Sequence, residues 1–264
     1  MRVRDIEVKK RIGESSKFRI YLGERGDQHE EVVLKVAKTF EDGVILSKEA
    51  GIFTSLGAFV DEITRLEEGS GAGNTANYGQ LLAHLESSFM EPTQSDRMIN
   101  VFSFPDTTMS ELTPMAKLYK STEIDPRTSV WILGRLFKLY GFYELIKEDG
   151  IPSYPHFRAD DYLIGPTKHR LIYYNCSEMT ADVVAYDFVR EITNFIISWL
   201  PASMDEKDQI YRDLLHDFSI NGRKKCREAH KDLYEVVNDL WGIQYHPFTY
   251  RERDTLNWKN IEEE

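Results

Sequence analysis

With 264 residues, 41% of them hydrophobic and 12% aromatic, the chain can bury a real core as one two-lobed domain or two small ones. A net charge of −11 argues against general nucleic-acid affinity, which depends on basic surface. No apolar run approaches the roughly 20 residues of a membrane helix, and the start MRVRDIEVKK lacks the apolar core of a signal peptide. Cys176 and Cys226 make neither a disulfide framework nor a metal spacing, so a reducing cytoplasm is the expected setting, with no membrane partner.

Residues 4–12, 18–24 and 31–37 carry strand-type patterns separated by turn-prone stretches, which predicts a three-stranded antiparallel sheet. Asp42 is the expected N-cap of a helix carrying Ile45, Glu49, Ile52, Phe53 and Leu56 at spacings of three and four, running to about Leu66. The GSGAGN segment marks a flexible insertion at about 68–80. Two further strands are expected near 85–90 and 98–104, followed by a polar linker. Beyond Thr113-Pro114 the patterns turn helical: 129–148 with a broad apolar face ended by Gly150, then 187–200, 205–218 and 223–241. Between the first two of these helices, 150–179 reads as a polar loop, a strand at 161–165, a tight turn and a strand at 171–174. The fold class is therefore α+β, with a strand-rich part at 1–105 and a mainly helical part at 106–264.

The order of these elements, with several local motifs, resembles the two-lobed protein-kinase layout: a five-stranded antiparallel N-lobe with one helix, on a mainly α-helical C-lobe. Ile12-Gly13-Glu14-Ser15-Ser16-Lys17-Phe18 is similar to the glycine-rich loop, with Gly13 in the first glycine slot and Ser15 and Phe18 in the other two. A loop that covers phosphates needs glycine because its backbone N–H groups must approach the oxygens. Val32-Val33-Leu34-Lys35 resembles the strand that carries the phosphate-contacting lysine, and Glu49 stands where its helix glutamate partner belongs. The plainer alternative for these two is a strand-edge lysine and a solvated helix glutamate. Val33 replaces a small alanine, which narrows the implied pocket.

The stretch 150–179 resembles the catalytic loop and metal-binding hairpin of the same family, with its apolar frame kept at Leu163, Ile164, Leu171 and Ile172. With Leu163 as the implied pocket floor, Tyr154 stands for the loop histidine and His156 for the catalytic aspartate. Arg158 then stands for the lysine and Asp161 for the metal-binding asparagine. Tyr174 stands for the aspartate of D-F-G, with Asn175 as the other candidate because one extra residue precedes the loop. Asp187-Phe188 and the ending Leu240-Trp241-Gly242 complete a resemblance to a divergent bacterial or phage-type branch that covers nearly the whole chain.

What the resemblance implies is a pseudokinase. Tyrosine or asparagine in the aspartate slot removes the main anchor for Mg²⁺, on which phosphoryl transfer depends. The expectation is a protein-interaction or regulatory module with a protein partner, no catalytic residue, no bound metal and no certain cofactor. At most an ATP pocket survives at Gly13, Lys35, Glu49 and Leu163. The alternatives are an atypical kinase or nucleotide transferase with metal ligands relocated to Asp160, Asp161, Glu178 or Asp182, and an α+β interaction protein of unrelated fold. The basic run Arg223, Lys224, Lys225 and Arg227 reads as a solvated face. The histidines show no zinc-type spacing with cysteine.

Overall fold

The computed structural model describes residues 2–27, 29–69, 77–91, 97–104, 106–146, 157–176, 188–221, 225–242, 244–255 and 257–261. Two compact units divide the chain: residues 1–112 with 172–178, and residues 113–171 with 179–264. The first unit thus extends past residue 105 and takes in a short segment from late in the chain.

The first unit is built on a six-stranded antiparallel sheet in the order β1-β2-β3-β4-β6-β5. Its strands are β1 (Arg2–Val3), β2 (Ile6–Glu14), β3 (Phe18–Arg25), β4 (Glu30–Ala37), β5 (His84–Glu91) and β6 (Arg97–Ser103). The expected five strands become six because the chain reverses at Arg4, which adopts a left-handed φ of 54° and lets Val3 pair with Ile6. Two-residue strands carry no readable alternation, so this one is invisible in the sequence. The sheet curls. Val3 and Ile6 from one edge share an apolar cluster with Val32, Leu34, Val36, Ile99, Val101 and Phe89 from the other strands. The Arg4 guanidinium sits 3.4 Å from the centroid of the Phe89 ring, a cation–π contact that ties the two edges together.

One helix, α1 (Phe40–Gly69), covers the other face. Thr39 caps it: its hydroxyl accepts from Asp42 N (3.1 Å) and the Asp42 carboxylate accepts from Thr39 N (3.2 Å). Asp42 is therefore the reciprocal partner in a capping box and not the cap itself. Leu46, Glu49, Ala50, Phe53 and Leu56 recur at helical spacing and are buried. Among the described residues α1 is also the one helix whose length and composition would allow a membrane crossing, contrary to the reading that no segment approaches that size. Interspersed Gly, Ala, Ser and Thr hide it from a search for apolar runs.

The second unit opens with β7 (Thr113–Pro114), α2 (Met115–Ser121), β8 (Thr122–Ile124) and α3 (Pro126–Ile146). After a 3-10 turn, Ala159–Asp161, come β9 (Tyr162–Gly165) and β10 (Arg170–Tyr173), whose last residues belong to the first unit. Then follow α4 (Phe188–Trp199), α5 (Glu206–Asn221), α6 (Cys226–Trp241), β11 (Thr249–Glu252) and β12 (Lys259–Asn260). α3 is central: Ile132, Leu133, Leu136, Phe137, Leu139, Tyr140 and Phe142 are all fully buried, the mark of a helix surrounded by others. Gly134 lets α6 close on it, since an added Cβ would lie 2.7 Å from the Tyr234 phenol oxygen. Burial pushes the phenol of Tyr140 well up, and its oxygen accepts a hydrogen bond from Tyr162 (2.9 Å).

At the start of α5 three carboxylates converge. Asp205 caps the helix, accepting from Asp208 N at 2.9 Å, and Asp125 caps α3, accepting from Arg127 N at 2.8 Å. Burial first, then the charges of Asp205 and Asp125, push the half-buried Asp208 carboxyl up to about 6, with Arg127 partly offsetting them. Because the folded-state value lies above the unfolded one, the penalty is fully present above about pH 6. It is relieved as the pH falls from about 6 through 3.8, below which both states are protonated. Asp208→Asn should therefore unfold at higher denaturant concentration than wild type near about pH 7.5, and at about the same concentration near pH 4. Equal midpoints at both pH values would show that the cluster carries no penalty.

A candidate functional site around Lys35

The sequence-predicted residues that come together do so in the first unit. Alternation along β4 sends Val32, Leu34 and Val36 into the apolar cluster and turns Lys35 to the opposite face, where α1 brings Glu49. The lysine ammonium donates to Glu49 Oε1 at 2.7 Å and to Asn175 Oδ1 at 2.8 Å. It also lies 4.7 Å from the centroid of the Phe18 ring. Lys35 is 5% exposed and Glu49 0%, which rules out the strand-edge lysine and solvated glutamate.

The carboxylate is held as tightly as the ammonium. Glu49 Oε1 also accepts from Cys176 N (3.2 Å), and Oε2 accepts from Asn100 Nδ2 (3.2 Å). Asn100 stands directly across from Lys35 in the β4–β6 register. Its amide donates as well to Leu46 O (3.0 Å), and its Oδ1 accepts from Ser88 Oγ at 2.7 Å. The result is a chain of charge and amide in which each buried group has its partner, as the low local dielectric requires.

Of these residues, Asn100, Ser88 and the Cys176 amide escaped the sequence reading. Asn100 had a signal: it is the polar centre of the apolar run Met98-Ile99-Asn100-Val101-Phe102, and a buried amide demands partners. Asn175, the second candidate for the D-F-G aspartate slot, is the residue that reaches Lys35. It arrives because the chain leaving β10 re-enters the first unit, where Ala83 N donates to Tyr173 O at 2.9 Å. Tyr174 beside it is half-buried.

The segment around Gly13 is closed on itself. Ser15 Oγ accepts from Lys17 N (3.3 Å) and Phe18 N (3.0 Å), while Ser15 N donates to Phe18 O at 2.8 Å. The backbone N–H groups of Ser15, Lys17 and Phe18 are thus already used within the turn. Phe18, 5% exposed, packs with Ala37 and Leu46.

Leu163 is on β9 in the second unit, paired with Pro114 of β7, and Asp161 ends the preceding 3-10 turn, its N donating to Arg158 O at 3.0 Å. His156, Tyr154, Glu178, Asp182, Arg223 and Lys224 lie outside the described residues. Among the described residues no three His, Cys, Asp or Glu side chains are grouped to hold a metal. No protein-family model matches the chain, and no curated protein matches it in sequence.

Proposed function

We propose that this chain is a catalytically degenerate kinase-like protein that acts as a protein-interaction or regulatory module. The observation that carries the reading is the occupation of Lys35: Glu49, Asn175 and the face of Phe18 take up its ammonium in a buried setting. The order of elements around it, a curled antiparallel sheet with one helix followed by a mainly helical unit, is compatible with the kinase-like layout that the motifs suggested. In an active kinase the lysine–glutamate pair is kept so that the ammonium can meet nucleotide phosphate. Here a neutral carboxamide sits on the remaining side of the ammonium, where phosphate chemistry would want an acid and its metal. An amide oxygen is a far weaker anchor for Mg²⁺ than a carboxylate. With the N–H groups of Ser15, Lys17 and Phe18 also consumed, these residues do not fit a nucleotide–metal complex.

The test is direct. The purified full chain, given ATP with Mg²⁺ or Mn²⁺, should transfer no γ-phosphate to itself or to general protein substrates. Its melting temperature should also stay unchanged. A site with a Kd of about 1 mM would contribute about 1 kcal/mol at about 5 mM ATP, or roughly 2–4 °C for a chain of this size. A metal-dependent shift of that size, or transfer lost in Lys35→Met, would favour an atypical kinase instead.

A further inference from the structure

The exposed half of α1 borders a groove that the Lys35 network does not use. One wall is helix, with Thr54, Gly57 and Ala58 one turn apart; the other is the 3-10 turn Tyr78–Leu81 and the chain after it, and the space between is about 680 Å³. Its floor is apolar, with Phe53 and Leu82 buried beneath. A Cβ added at Gly57 would meet nothing within 4 Å. A glycine in mid-helix weakens the helix, and nothing in the described chain packs there to explain it. On the opposite wall the side-chain amides of Asn77 and Gln80 take no partner among the described residues, and Asn77 is held at a left-handed φ of 46°.

Among the described lining residues the acidic side chains are Asp61 and Asp106, there is no lysine or arginine, and His84 is turned to Glu86 at 2.9 Å. Asp61 is exposed and forms no ion pair among the described residues. We propose that this groove binds an extended segment of a partner protein that carries a lysine or arginine beside an apolar side chain. The basic group meets Asp61, the apolar one rests on Phe53 and Leu82, and the carboxamides of Asn77 and Gln80 bond the peptide backbone. The low wall at Gly57 and Ala58 lets the segment's main chain come close. A net charge of −11 favours cationic segments from a distance. This proposal rests on the reading of the chain as an interaction module.

The experiment is selection of short random displayed peptides on the immobilised full chain, followed by anisotropy with a labelled synthetic copy of the most enriched sequence. Enriched peptides should pair a basic with an aliphatic or aromatic residue. Binding should fall at least about tenfold in Asp61→Lys and in Ala58→Trp, both at exposed positions, and should weaken as salt rises. Asp61→Asn, which changes charge without bulk, should weaken binding in the same direction. No enrichment, enrichment of acidic peptides, or equal binding by all three variants would overturn the proposal. So would concentration-dependent self-association abolished by Asp61→Lys, since the occupant would then be a second copy. Phosphoryl transfer by the chain would overturn the functional reading while leaving the peptide result standing, so the two can fail separately.

Discussion

Lys35→Ala should destabilise the first unit by about 3–5 kcal/mol, because it strands the fully buried Glu49 carboxylate among amide donors alone. The size comes from the uncompensated charge and not from any large net gain of the intact pair. A buried ion pair roughly balances desolvation against attraction, whereas half of one does not. Lys35→Met with Glu49→Gln should therefore recover part of the loss: the charge is gone, but the single glutamine oxygen can accept from Cys176 N or from Asn100 Nδ2, which bond to different carboxylate oxygens, and not from both. Urea unfolding gives the total, and hydrogen exchange of β4 and α1 amides shows whether the loss is local to this unit. A Lys35→Ala cost below about 1 kcal/mol would mean that the carboxylate finds solvent.

Trp199→Ala should cost the second unit a comparable amount, about 3–5 kcal/mol, through the cavity left where a fully buried indole stood. Trp199 comes from α4 and meets Tyr119 of α2 edge-on, with ring centroids 6.0 Å apart, and Phe195 at 5.7 Å. Its Nε1 donates to Thr122 Oγ1 (3.3 Å), tying α4 to β8. Trp199→Phe keeps most of the ring and should cost less than half as much. The same cost for both substitutions would point to the lost hydrogen bond, not the cavity, as the main term.

The elements that periodicity and turn chemistry could mark were legible. β3, β4, β5, β6, α3, α4, α5 and α6 fall within a few residues of where alternation or helical spacing placed them, while Gly150, read as ending α3, lies outside the described residues. β1, β7 and β12 are two residues long, and β8 is three. Such segments become strands because neighbours supply hydrogen-bond partners; Tyr250 pairing with Ile124 in β8 is an example. No local pattern announces them. The site divides in the same way. Lys35 and Glu49 were readable from motif order, and Asn100 from its polarity within an apolar strand. The choice between Tyr174 and Asn175 was not readable, because register at the end of β10 depends on how many residues the preceding loop absorbs.

From residues alone follow the α+β class, the amphipathic helices and strands, the shift from strand-rich to helical halves, and the suspicion that a kinase-like frame had lost its acids. Each rests on periodicity or residue chemistry within short windows. Tertiary structure decided the rest: that the two edges of the sheet curl onto one cluster, and that Asn175 returns across 140 positions to meet Lys35. The groove beside α1 also exists only when helix and later chain face each other. These are contacts between groups far apart in the chain, set by which buried polar atoms find partners in the folded state. No window of sequence contains both halves of such a bond.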